Sequence, residues 1–269
     1  MFEILLNILL NGLVVFGAFK KRALTFSGSL TAFMVGGILY YFGGFLSWLL
    51  LILFFLSSSV INTLKKRRAV KPHSSVNEEE KAGRSGRQVL ANSLPALGCL
   101  LLYVFSSDPV YYFSMVACIA GATADTWGSE IGILSKKRPF SITTLKPMEA
   151  GLSGGISQLG LVASLGGAAF ISLILFFSSH YTPVEGELTV GVLSLLILMG
   201  FFSSIIDSIL GATIQEKFIG ENYSLTEIKP ASGESGTLSS GVLGVDNNRV
   251  NFLSGVLTAV FSITLFVII

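Results

Sequence analysis

Gly121-Ala122-Thr123-Ala124-Asp125-Thr126-Trp127-Gly128-Ser129-Glu130-Ile131-Gly132 begins inside an apolar run and carries two carboxylates at a depth where a bilayer makes charge expensive. A basic patch follows, then Thr143-Thr144-Leu145-Lys146-Pro147, then Gly151-Leu152-Ser153-Gly154-Gly155-Ile156-Ser157, which opens the next apolar run. Acidic groups inside an apolar segment are tolerated when they face a protein interior or a watery cavity, so the run reads as one span of a larger bundle. The totals agree: 269 residues, 51% hydrophobic and 13% charged, with mean hydropathy +0.73. This excludes a soluble globular domain and predicts an all-α, polytopic transmembrane helical bundle.

Eight spans are expected, at about 3–19, 24–42, 44–61, 89–106, 110–134, 153–178, 188–213 and 250–269. They form a single integral-membrane domain, with N-terminal spans and a basic loop over 1–88 and the site-bearing spans over 89–269. Glu3 ahead of the first run and Lys20-Lys21-Arg22 after it argue for a span rather than a secretory leader. Lys and Arg number three in 20–22, eight in 62–88, four in 135–152 and three in 214–249, which accounts for all 18. With eight spans these segments share one side. The positive-inside rule then predicts that this side is cytoplasmic and that both termini lie outside. Net charge of +2 carries no nucleic-acid signature. Cys99 and Cys118 fall in apolar runs and His73 and His180 in different loops, so neither a disulfide framework nor a metal-ligand pair is expected.

The acidic residues within spans, apart from Glu3, are Asp125, Glu130 and Asp207. They are the candidate catalytic groups and, with Asp246, the candidate metal ligands. Asp125 and Glu130 point roughly 140° apart on a regular helix and converge only if the helix breaks, which Gly128 and Gly132 permit. The competing reading makes those glycines close-packing positions. A weak repeat relates Asp125-Thr126, Lys146-Pro147 and the Gly151–Gly155 loop to Asp207-Ser208, Lys229-Pro230 and a second small-residue loop. A parallel duplication would set the site between the halves.

Hard carboxylate oxygens suit Mg²⁺, which binds through one or two of them plus substrate phosphates. Lys146 and Lys229 can meet phosphates as point charges, Arg84 and Arg87 as forked donors. Thr143, Thr144, Ser153, Gly154 and Gly155 can supply hydroxyl and backbone N–H groups ahead of a helix. Asn92 serves either an interhelical hydrogen bond or the site, and Asn248 either the site or the start of the last span. Asp246 reads equally as a helix cap. No P-loop or kinase-type glycine loop is present. These are the parts of phosphoryl transfer, where positioning and charge neutralisation do most of the catalysis.

Ala124-Asp125-Thr126-Trp127 with Ser129-Glu130-Ile131-Gly132, Thr143-Thr144-Leu145-Lys146-Pro147, Gly154-Gly155-Ile156-Ser157, Asp207-Ser208 with Gly211-Ala212, and Asn247-Asn248-x-x-Asn251 resemble the integral-membrane family that contains plant and cyanobacterial phytyl-phosphate kinase. The animal transmembrane protein nineteen looks like a relative. Gln88-Val89-Leu90-Ala91-Asn92 matches too, so the resemblance covers most of the chain from about 84 onward. It implies conversion of an isoprenoid monophosphate to the diphosphate, with CTP as donor and Mg²⁺ as cofactor. The partners implied are an isoprenoid phosphate lipid, a nucleotide and the bilayer. An alcohol acceptor, which needs a carboxylate to take its proton, remains open. So does a secondary transporter that uses the carboxylates for ion coupling.

Overall fold

The computed structural model describes residues 2–67, 83–184, 188–220, 225–228 and 237–268. Its helices are α1 (Phe2–Lys20), α2 (Phe26–Arg67), α3 (Gly86–Ser106), α4 (Pro109–Gly132), α5 (Gln158–Phe177), α6 (Val190–Thr213) and α7 (Asn247–Ile268). The architecture is an all-α membrane bundle. Five helices, α2, α3, α5, α6 and α7, are long and apolar enough to cross a bilayer.

α2 is one continuous apolar run broken at Gly44, whose backbone turns to φ 79°, ψ 173°. Asn11 shows how sharp the break is. Its amide donates to Phe33 O, before the break, and accepts from Trp48 Nε1, beyond it. In a straight helix those positions stand about 22 Å apart at 1.5 Å per residue. Arg84 spans a longer interval: its backbone bonds Thr25 N, and its guanidinium lies over the rings of Phe54 and Phe55, each at 5.4 Å. The two halves of α2 therefore run back along each other, over the segments expected as the second and third spans.

α4 is the central rod. From Met115 to Gly121 every residue is buried, as are Tyr112, Ser114, Thr123 and Ala124, and α2, α3, α5, α6 and α7 all pack on it. A helix buried on all sides is shielded from lipid and can carry polar groups. Small residues bring its neighbours close. A Cβ on Gly167 of α5 would lie 2.9 Å from Thr123 O, and one on Gly200 of α6 would lie 2.9 Å from both Ala120 Cβ and Ala168 Cβ. The ends are set by local chemistry. Ser85 and Gln88 form a capping box at α3, Asp108 precedes Pro109 at α4, and Ser157 Oγ caps α5 through Gly160 N at 3.1 Å. Pro95 interrupts α3 and seats against Gly255 of α7, where a Cβ would meet Pro95 Cγ at 2.6 Å.

The loops gather at two ends. Thr25 bonded to Arg84, Lys65 paired with Glu130, and Ser153 bonded to Glu227 bring 20–25, the start of α3, 133–157, 214–220 and 225–228 to one end, the basic one. At the other end Ser47 Oγ meets Tyr112 OH at 3.0 Å, and Tyr103 OH donates to Pro183 O at 3.1 Å. Two segments read as loops also carry short sheets. β1 (Phe140–Ser141) pairs antiparallel with β2 (Gly155–Ile156). β3 (Lys217–Ile219) lies between β4 (Leu225–Thr226) and β5 (Leu238–Ser240). Both are hairpin-scale pairings, too short to leave a residue-level pattern in the sequence.

Candidate active site

Asp125 of α4 and Asp207 of α6 line one cavity between α3, α4, α6 and α7, near the basic end of the bundle. Asp207 stands six residues, about 9 Å at 1.5 Å per residue, before the end of its helix. Asn92 and Pro95 contribute from α3, and Asn251, Ser254 and Gly255 from α7. No basic side chain is among the lining residues described. The free volume is about 10 Å³, room for one water or one bare ion and far short of a nucleotide.

The two carboxylates are held differently. Asp207 Oδ2 accepts from Ser254 Oγ at 3.0 Å, and Asn251, with its amide turned to donate, reaches the same oxygen at 3.1 Å and Asn247 O at 3.2 Å. The Asp125 side chain makes no hydrogen bond among the described residues and shares the cavity with Asp207. Asn92 donates to Gln88 O at 2.9 Å within its own helix while lining the cavity, rather than bonding across to another helix.

Glu130 lies apart. α4 stays helical through Gly132, so the break that would aim Glu130 at Asp125 does not occur, and Glu130 pairs with Lys65 from the end of α2. Gly128 and Gly132 serve packing instead. A Cβ on Gly128 would sit 2.1 Å from Ser164 Oγ, and one on Gly132 3.1 Å from Gly160 Cα. Asp246 is also elsewhere: it caps α7, accepting from Arg249 N at 3.0 Å. Among the described residues no cluster of three or more His, Cys, Asp or Glu is spaced for a metal.

The other expected phosphate contacts spread over the basic end. Arg84 is stacked on Phe54 and Phe55, while Arg87 is exposed. Thr143, Thr144 and Lys146 project from an exposed turn, tied by Ser141 Oγ to Thr143 Oγ1 at 3.0 Å. Asn248 is partly buried but does not line the cavity. Lys229 lies outside the described residues, as does the second small-residue loop of the repeat.

Ser153 is engaged by a cluster that sequence reasoning missed, while Gly154 packs on Ala212 and accepts from Ile142 N at 2.9 Å and Gly155 pairs in β2. Glu227 accepts from Ser153 N at 2.6 Å, Ser153 Oγ at 3.0 Å and Gln215 Nε2 at 2.8 Å. Lys217, 7% exposed, donates Nζ to Ser153 O and Gly211 O, both at 3.0 Å. Burial pulls the Lys217 ammonium down from its ordinary range, and Glu227 partly restores it. Burial pushes the Glu227 carboxyl up, opposed by Ser153, Lys217 and Gln215. Ser254 was missed as well, while Asn251 stands in the Asn247-Asn248-x-x-Asn251 motif but was not assigned to the site.

The fold and cavity define a class, a polytopic helical membrane protein with a carboxylate pair inside the bundle at its basic end. Within that class the chain belongs to the family described as integral membrane protein DUF92, whose sequence profile matches residues 9–259. It is 33% identical to Protein PGR of Arabidopsis thaliana, across 96% of this chain and 94% of that protein. An uncharacterised membrane protein of Methanocaldococcus jannaschii is 29% identical over 84% of the chain and 86% of its own length. Protein VTE6, chloroplastic, of Arabidopsis thaliana is 26% identical, over 55% of this chain and 44% of that protein. No solved structure matches.

Proposed function

We propose that this protein is a CTP-dependent phosphotransferase that converts an isoprenoid monophosphate, phytyl or geranylgeranyl phosphate, to its diphosphate at the cytoplasmic face. The observation that carries the reading is the meeting of Asp125 and Asp207 in one ion-sized cavity, close to the end where the basic loops gather. The motif resemblance supports the isoprenoid substrate class.

Two carboxylates with no lysine or arginine between them call for a cation, and the oxygens of Asp125, Asp207 and Asn92 are hard donors that fit Mg²⁺. Bound there, Mg²⁺ would neutralise charge building on the transferring phosphoryl group. The chain's own residues do the rest. Ser254 and Asn251 fix one oxygen of Asp207 and leave the other to the cavity. Lys146 and Arg87, exposed at the basic end, meet nucleotide and lipid phosphates as they arrive. An acceptor that is already a phosphate presents an anionic oxygen, so the γ-phosphoryl group moves to it and CDP leaves without a strong general base. This suits a site with no histidine.

Purified protein with Mg-CTP and phytyl or geranylgeranyl phosphate should yield the diphosphate and CDP, and Asp125→Asn should lose that activity while still folding. Unaltered turnover in Asp125→Asn, or no product with any nucleoside triphosphate, overturns the assignment.

A further inference from the structure

The Ser153 loop and the end of the Asp207 helix are fastened together by two side chains from the segment that follows α6. Glu227 takes the N–H and hydroxyl of Ser153, and Lys217 takes its carbonyl, so every polar group of that residue is bonded by two side chains, the lysine buried and the glutamate half-buried. The same lysine bonds Gly211 O, one helical turn beyond Asp207, where a helix leaves its last carbonyls unpaired. Packing closes the joint: a Cβ on Gly154, at φ +87°, would lie 2.5 Å from Ala212 Cβ.

Ser153 belongs to the link between α4 and α5, and Gly211 to α6, so the clamp joins the unit carrying Asp125 to the helix carrying Asp207. We propose that Lys217 and Glu227 are positioning residues for Asp207: they fix where the end of α6 sits against the 151–155 loop, and with it the spacing of Asp207 from Asp125 that a divalent cation between them requires. Neither residue lines the cavity. Their effect on phosphoryl transfer rests on the function proposed above; the clamp and its effect on cation affinity do not.

The test uses the full chain in detergent, with Mn²⁺ as the probe and Asp207→Asn as the control that removes the cavity site. Glu227→Gln and Lys217→Met should each weaken Mn²⁺ binding by up to about tenfold, the lower end of the loss seen when a direct hydrogen-bond partner of a metal ligand is removed, because they act on Asp207 only through the end of its helix. Amide exchange in 151–155 should quicken about tenfold, as one buried hydrogen bond is lost. In the transfer assay kcat should fall with Mn²⁺ affinity while KM for the nucleotide holds. Ser153→Ala, which deletes one bond and strands no charge, carries the test if either charge variant fails to fold. Unchanged exchange overturns the clamp. Faster exchange with unchanged Mn²⁺ affinity makes it a structural tie only and overturns the positioning role, as does a wild-type protein whose Mn²⁺ binding matches Asp207→Asn. Wild-type protein that binds Mn²⁺ through Asp207 but makes no diphosphate overturns the proposed function and leaves the clamp standing.

Discussion

Asp125 and Asp207 come from different helices of the bundle and line the same cavity, one tied by Ser254 and Asn251, the other with no hydrogen bond among the described residues. Two carboxylates in such a place repel unless a cation or proton joins them. Mg²⁺ should therefore raise the Tm of the wild type, and Asp125→Asn should stabilise the protein in chelator and abolish that rise. Turnover should drop by about two to three orders of magnitude, the scale seen when one preorganised electrostatic group is removed. Melting curves with and without Mg²⁺ check the first claim. A variant that melts lower than wild type in chelator would show that the aspartates are not in conflict.

The close approach of α4, α5 and α6 rests on positions where backbone meets backbone. Gly167→Ala would push a methyl to 2.9 Å from Thr123 O and about as near Ala124, and neither can rotate away. The expected cost is about 1–3 kcal/mol, as for other overpacked interiors. Gly98→Ala on α3 is the control: nothing lies within 4 Å of its Cβ, so it should be neutral or gain up to about 1 kcal/mol of helix propensity. Denaturation of both variants in the same detergent makes the comparison.

The salt bridge of Lys65 and Glu130 ties the end of α2 to α4 beside the basic loops, each side chain about a quarter exposed. A pair so exposed is worth about 0–1 kcal/mol. Glu130→Gln and Lys65→Met should lose the same small amount, and the swap Lys65→Glu with Glu130→Lys should recover it. If the swap recovers stability yet turnover is lost by orders of magnitude, Glu130 touches substrate after all.

Much of this was legible in the residues, for reasons that differ by element. The long apolar blocks and the sorting of Lys and Arg into alternate connections revealed the membrane bundle and its basic end, because both are properties of whole segments. Asp125 and Asp207 stood out because carboxylates inside apolar runs are costly. Glu130 was assigned to the cavity because Gly128 and Gly132 could have broken the helix; contacts with Ser164 and Gly160, far along the chain, are what use them. Asn248 was expected at the site and does not line the cavity: it shares a face of α7 with Asn251 and Gly255, but it stands at the start of the helix, about one to two turns before them, so position along the axis rather than phase keeps it out. Glu227 and Lys217 left no trace, since a carboxylate bonded to an N–H 74 positions away has no local pattern.

Glu227 gives the pH dependence its sign. Burial raises its carboxyl above the ordinary value of 4.5, so the folded chain binds this proton before the unfolded chain does. Its contribution to stability is therefore fully present below 4.5 and is lost as pH rises through the raised value. Burial also disfavours the Lys217 ammonium and draws it below its ordinary range, with Glu227 opposing the shift. Glu227→Gln cannot titrate, so the Tm of wild type minus that of the variant should fall as pH is raised from about 4.5 toward neutrality. Local order should move the other way: protonation takes an acceptor from Ser153 and Gln215, so amide protection at 151–155 should weaken in acid in the wild type and stay level in Glu227→Gln. A Tm difference that grows with pH would mean that Ser153, Lys217 and Gln215 outweigh burial, and that Glu227 is held as a carboxylate at net gain to the fold.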